Sequence, residues 1–333
     1  MCKLTSYFKA IFFLFIVPVF FSCNSPSNSP YPAVSFDRLV SMPGNGRSSA
    51  VAFSIDTKGY VALGRDSLHN PLKDCWEFNS VLKTWTQRAF FPGVARVKAI
   101  AAVLNGKAYV GLGFNPLIPV YTQDSAYLKD FWMYDPVIDK WTPKATFPDK
   151  ECDGSVCFTF GDNIYVGSGF DGYGFGKKFY KYNPAVDLWT EISPFPGLAR
   201  VCSVACTNNE HVYFGTGYNT YNENDWWEYF PVSDSWKKLK SMPDNGRENA
   251  VAFSINSRFF VSTGRQFGGN LTGGNVKSDL VEYDAVRNVW YERGNIPNGN
   301  RENAIAFVIN GKGYVGFGEN DSQVLNDFWS FEP

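Results

Sequence analysis

Ser41 to Gly64 reads SMPGNGRSSAVAFSIDTKGYVALG, and Ser241 to Gly264 reads SMPDNGRENAVAFSINSRFFVSTG. A third form, PNGNRENAIAFVINGKGYVGFG, runs from Pro297 to Gly318. A phrase that returns along a chain marks a repeat architecture, in which each copy is one supersecondary unit stacked on the next.

Taking the arginine of the phrase as origin, six positions align: Arg47, Arg96, Cys152, Arg200, Arg247 and Arg301. A proline lies four residues before each (Pro43, Pro92, Pro148, Pro196, Pro243, Pro297). An aromatic lies thirteen after (Tyr60, Tyr109, Tyr165, Tyr213, Phe260, Tyr314), and a glycine four further on, from Gly64 to Gly318. A loop of variable length leads to a second frame that opens at Asp74, Asp130, Lys178, Asp225, Asp279 and Asp327. Tryptophan stands eleven residues later at Trp85, Trp141, Trp189, Trp236 and Trp290, always seven before the next proline. Two rigid frames around one elastic loop give a unit of roughly 50 residues.

Each unit reads as four strands. The segment after the arginine alternates small and branched residues, such as Ala50-Val51-Ala52 and Ala304-Ile305-Ala306. A period of two is a strand, and uniformly small side chains on one face indicate crowding around an axis. Asn105-Gly106 and Asn310-Gly311 are hairpin turns. The glycine-bearing aromatic segment, the segment after the aspartate and the tryptophan segment supply the other three strands. Six radial four-stranded sheets make an all-β propeller. The last unit stops at Phe331-Glu332-Pro333, short of a fourth strand, and Phe36 precedes Pro43 by the tryptophan spacing of seven. The strand around Phe36 is therefore expected to close the last blade, which makes residues 33–333 a single domain.

The glycine behind an aromatic, the aromatic third strand and the spaced tryptophan resemble the kelch repeat over nearly all of this region. The resemblance implies a six-bladed kelch-type β-propeller and little about function, because kelch propellers include substrate adaptors, copper oxidases and a sialic-acid epimerase. The copper oxidases need two histidines and a tyrosine linked to cysteine. Here the only histidines, His69 and His211, fall at opposite ends of the blades. Neither that copper site nor a three-histidine zinc site is available, and no metal or cofactor is expected.

Residues 1–22 read as an export signal. Lys3 and Lys9 lie before an apolar run, Ala10 to Phe21, of 12 residues, short of the roughly 20 that a spanning helix needs. Cys23 follows at once, in the manner of a bacterial lipoprotein signal. This implies lipidation at Cys23, a polar tether over 23–32, and anchorage in the cell envelope. Five cysteines remain in the propeller, in no paired framework. Cys152 and Cys202, at the tops of adjacent inner strands, leave an inter-blade disulfide open. Aromatics at 17%, charged residues at 19% and a net charge of -1 suit a β protein and argue against a nucleic-acid partner.

Variable loops and arginine positions share one face, and function collects where length varies. Arg47, Arg96, Arg200, Arg247 and Arg301 would ring that mouth. They could hold a carboxylate or phosphate, or could instead tie blades together through carbonyls and neighbouring aspartates. Residues that break the repeat are sharper candidates. Glu248-Asn249 and Glu302-Asn303 occur in blades five and six alone, where they could do acid–base work on a sugar or pair with arginines. Tyr121, Tyr127, Tyr173, Tyr218 and Tyr221, with Phe114, Phe175 and Phe267, could stack on sugars or hold a protein. The first reading is a binding module that takes a protein or glycan on the loop face. The alternative is a carbohydrate-active enzyme of the sialic-acid epimerase kind. A pocket where Arg247, Glu248, Arg301 and Glu302 converge, with a shifted carboxylate, would favour the enzyme. A broad aromatic surface with those charges paired would favour binding.

Overall fold

The structure is a computed structural model that describes residues 30–333, apart from 45, 120–125, 151, 209 and 268–272. The export signal, Cys23 and Tyr121 lie outside the described residues.

Six four-stranded antiparallel sheets form a propeller. In blade 1 the strands run Val51–Ile55, Lys58–Ala62, Cys75–Asn79 and Thr84–Arg88, from axis to rim. The other inner strands are Ile100–Leu104, Val156–Phe160, Val204–Thr207, Val251–Ile255 and Ile305–Ile309. Each inner strand touches the inner strands of both neighbouring blades, the sixth touching the first, so the ring is closed. The expected small residues face the axis. Ala52, Ala101, Cys157, Ala205, Ala252 and Ala306 line a narrow channel, one section of which encloses about 270 Å³.

Blade 6 draws its outer strand from the other end of the chain. Phe36–Arg38 pairs with Phe328–Phe331 in the register Phe36↔Phe331, Asp37↔Ser330 and Arg38↔Trp329. The Phe36 and Phe331 rings meet at 5.1 Å, where other blades use the tryptophan. This closure leaves no unpaired blade edge between the termini. Just upstream, Tyr31 lies under the guanidinium groups of Arg258 and Arg293 at 4.5 and 5.3 Å, and the Val34 N–H donates to the Arg293 carbonyl. Among the described residues, contact with the propeller begins at Tyr31.

The repeated residues do the joining. The indole N–H groups of Trp85, Trp141, Trp189 and Trp290 donate to Val40, Ala89, Ala145 and Lys240 carbonyls, in the connectors that enter each blade. The glycine after the second strand donates its N–H to the next blade at the arginine position: Gly64 to Arg96, Gly113 to Cys152, and so on round to Gly318 and Arg47. Gly64 sits at φ 80°, and a Cβ there would come within 2.5 Å of the Ser48 carbonyl oxygen. Only glycine allows that approach.

Candidate functional site

The arginines are structural in their geometry. Arg96 lies with its guanidinium on the Phe91 ring at 4.7 Å, donates to the Leu112 carbonyl at 2.9 Å, and forks onto Asp130 at 2.5 and 2.8 Å. Arg47, Arg200, Arg247 and Arg301 repeat the bond to the carbonyl sixteen residues on, and pair with Asp74, Asp225, Asp279 and Asp327. All five arginines are at most 3% exposed. The partner aspartate also accepts an indole N–H from Trp76, Trp132, Trp227 or Trp329 in four of these blades. Although burial works against it, the Arg96 hydrogen bonds hold the Asp130 carboxyl below its ordinary range, and Arg301 does the same for Asp327. With both Nη groups held inside the blade, none of these guanidiniums offers a fork to a ligand. Each arginine side chain runs back into its own blade, and the mouth is built from its neighbours in sequence.

Three positions per blade form that mouth. The residue two after the origin closes the axis. Ser49, Lys98, Gly154, Cys202, Asn249 and Asn303 all have φ between 52° and 57°. Each donates its N–H to the same position of the preceding blade, through a full circle, at 2.8 to 3.3 Å. Glycine and asparagine tolerate this left-handed backbone, whereas serine, lysine and cysteine hold it at some cost. The residue one after the origin bridges, strand-like, to the residue eighteen after it: Ser48 to Arg65, Val97 to Phe114, Asp153 to Phe170, Val201 to Tyr218, Glu248 to Arg265 and Glu302 to Glu319. These residues stand side by side around the opening.

The rim has two unlike halves. Blades 2 to 5 carry a run of half-buried rings, Phe114–Tyr127–Phe170–Phe175–Tyr218–Phe267, with successive centroids 4.8 to 6.2 Å apart. Blades 5, 6 and 1 carry a polar network. Arg265 donates to Glu302 and Asp321 at 2.6 Å, and Asn249 donates to Glu302 at 2.9 Å. Arg65 donates to both oxygens of Glu319 at 2.7 Å, and Asn303 donates to Glu319 at 3.0 Å. Tyr173 and Tyr221 are 93% and 71% exposed on the loops outside this run.

Between the halves lies Glu248. It is 9% exposed, and its carboxylate accepts no hydrogen bond among the described residues. Burial raises its pKa to about 7, opposed by Lys98 and Arg265 and reinforced by Glu302. Burial likewise raises Asp153. Lys98, largely enclosed, places Nζ 3.4 Å from Cys202 Sγ. The Cys202 sulfur, with Asp153 and Glu248, holds its ammonium above the ordinary value despite burial. Cys152 and Cys202 are both free thiols, the former bonded to the Ser155 hydroxyl at 3.2 Å, so the inter-blade disulfide is not formed.

The structure therefore separates the sequence candidates. Glu248, Asn249, Glu302 and Asn303 meet at the mouth, and Tyr127 and Tyr218 join the aromatic half. The five arginines do not face it. Lys98, Arg65, Arg265, Glu319 and Phe170 belong to the mouth and escaped the sequence reading. Their signal was the fixed offset of two or eighteen from the arginine position, at positions where the copies disagree. A buried carboxyl poised near neutrality, a cation and a wall of rings can stack a sugar ring, orient its hydroxyls and exchange protons with it.

No protein-family model matches the chain. A 111-residue segment, 33% of this chain, is 31% identical to 19% of Kelch-like protein 25 from Xenopus tropicalis. A 105-residue segment, 30% of this chain, is 33% identical to 26% of N-acetylneuraminate epimerase 1 from Escherichia coli O6:H1 (strain CFT073). The chain thus spans only about a fifth to a quarter of the curated relatives it matches. The solved structure of YjhT superposes with a TM-score of 0.73 over 87% of this chain and 95% of that one, at 18% identity, which is a likeness of fold.

Proposed function

The chain is a kelch-repeat β-propeller, and from that premise we propose that it is a carbohydrate-active protein: the mouth binds a sugar and the Glu248 carboxyl moves protons on it. The observation that carries this reading is the buried Glu248 carboxyl, unbonded among the described residues and raised by burial to about 7, at a mouth whose other half is an aromatic wall. A group poised near the working pH transfers protons best. The chemistry it suits is interconversion of sugar anomers. Asp153, kept the more readily ionised of the two by Lys98, takes the proton of the anomeric hydroxyl as the ring carbon–oxygen bond breaks. Glu248, raised further by burial, gives a proton to the departing ring oxygen. Closure on the other face of the carbonyl returns both protons, so nothing is consumed. Lys98 would meet a sugar carboxylate. The match to a protein named as an N-acetylneuraminate epimerase supports an acidic sugar as the first substrate to try.

Binding without turnover is the second reading. It is favoured by the six-ring run and by the exposed Tyr173 and Tyr221, which suit a glycan or protein surface. Either reading is proposed for an exported protein held in the envelope by lipid at Cys23. Metabolic labelling with a fatty acid, lost in Cys23→Ser, tests the anchor.

The function is tested by NMR exchange spectroscopy on sialic acid and a panel of neutral sugars. The wild type should bind a sugar and accelerate anomer exchange, and Glu248→Gln should bind it and lose the acceleration. Exchange retained in Glu248→Gln would remove the acid–base role. Binding with no exchange in the wild type would leave the binding module, and no sugar bound would leave a protein partner.

A further inference from the structure

Five blades bury an arginine at the head of the inner strand, and blade 3 does not. Cys152 stands in place of the arginine and Lys178 in place of its aspartate. The short thiol leaves a cleft of roughly 570 Å³, lined in part by Phe147, Asp149, Cys152, Ser168, Phe175 and Tyr180. We infer that this cleft is a socket for a guanidinium group brought by a ligand.

The blade has lost the arginine and its third-strand aspartate, but it keeps the ring and the carbonyl and carries an acid at another position that grips arginine. Phe147 stands five residues before the origin, as Phe91 and Phe195 do, and those two rings carry the guanidinium groups of Arg96 and Arg200 at 4.7 and 4.8 Å. Ser168 stands sixteen after, where the Leu112 and Thr216 carbonyls accept from Arg96 and Arg200. In blade 3 that carbonyl receives the Ser155 hydroxyl at 3.1 Å, which leaves its second lone pair. Asp149 stands three before, the position from which Asp244 grips Arg247 through Nε at 3.0 Å and also through Nη2. Among the described residues its carboxylate takes one bond, from the Tyr180 hydroxyl at 3.0 Å. An aromatic face, a carbonyl and a carboxylate thus converge on the space that a guanidinium fills in the neighbouring blades.

Three lysines line the cleft, Lys150, Lys177 and Lys178, and all three are exposed to solvent. Lys150 is turned onto Asp171 at 2.6 Å, and Lys178 faces Glu191 at 3.7 Å. Burial pushes the Cys152 thiol up to about 12, so it is neutral at working pH and occupies the floor without a charge of its own. The shape favours guanidinium over ammonium, because only the planar group can lie on a ring while its fork reaches two acceptors. The group could come from a free small molecule or from an arginine of a protein.

Titration of the intact propeller with methylguanidinium, followed calorimetrically, tests the socket. Methylguanidinium should bind, and methylammonium should bind about tenfold more weakly for want of one charge-assisted hydrogen bond. Asp149→Asn should weaken methylguanidinium by a similar factor. Cys152→Arg combined with Lys178→Asp should refill the socket, abolish binding and leave the unfolding midpoint equal or higher. Agmatine and an arginine-containing peptide, compared at equal concentration, identify the source by which binds more tightly. Absence of methylguanidinium binding to the wild type, or binding undiminished in the refilled variant, would overturn the inference. Should the refilled variant not fold, undiminished binding in Asp149→Asn overturns it instead.

Discussion

Replacing Glu248 by glutamine should stabilise the propeller at neutral pH and not at acid pH. Burial raises this carboxyl from the ordinary 4.5 to about 7. Between those values the folded chain holds a proton that the unfolded chain has lost. Stability therefore falls as pH rises through that window, is fully present below it, and stays low above it. Each tenfold gain in proton affinity on folding is worth about 1.36 kcal/mol, so the ionised side chain costs about 3 kcal/mol at pH 8. Glutamine keeps the shape and cannot ionise. Urea unfolding of wild type and Glu248→Gln at pH 4.5, 6 and 8 should give nearly equal stabilities at the first and a gain of about 3 kcal/mol for the variant at the last. The arginine-bound aspartates titrate in both proteins alike and cancel in the difference. A constant difference across the three pH values would refute the reasoning, because the carboxyl would then be neither desolvated nor poised.

The remaining expectations separate fold from site. Arg200→Met leaves Asp225 buried without its cation and should cost about 3–5 kcal/mol in unfolding free energy, with sugar affinity unchanged. Lys98→Met removes the charge that opposes the rise of Glu248, so the pH profile of anomer exchange should move to higher pH, while acidic sugars lose more affinity than neutral ones. Phe175→Ala should weaken sugar binding by about 0.5–1.5 kcal/mol, the worth of an aromatic contact, as read by calorimetry. Phe36→Ala should cost about 2 kcal/mol through the half-buried ring that closes blade 6, seen as a lower urea midpoint.

The fold was legible because each blade needs the same few residues to meet the next. Gly64 and its equivalents must approach a neighbouring backbone, and Trp85 and its equivalents must reach a connector carbonyl. Those demands recur at fixed offsets, and even the orphan strand at Phe36 declares itself by spacing. The use of the arginines was half legible: carbonyls and neighbouring aspartates hold them, as one of the two open readings had it, but within their own blade and not between blades. Their offset puts them at the mouth, but the carbonyl sixteen residues on and the aspartate of the third strand draw them inward. One hint was present: blade 3 loses arginine and aspartate together, as partners would. Glu248, Asn249, Glu302 and Asn303 stood out because they differ from the other copies. Lys98 did not, because its position accepts any residue that can hold a left-handed backbone. Arg65, Arg265 and Glu319 begin the variable loops, where the sequence stops repeating. Nothing in composition says that the first loop residue still pairs across the rim.

The most direct measurement is a site-resolved titration of the Glu248 carboxyl carbon by NMR, assigned with Glu248→Gln, in the free protein and with saturating sugar. A carboxyl that titrates near 7 and shifts when sugar is added is the predicted result. A carboxyl that titrates in the ordinary range near 4.5 and ignores the sugar would contradict a proton-transfer site at this mouth.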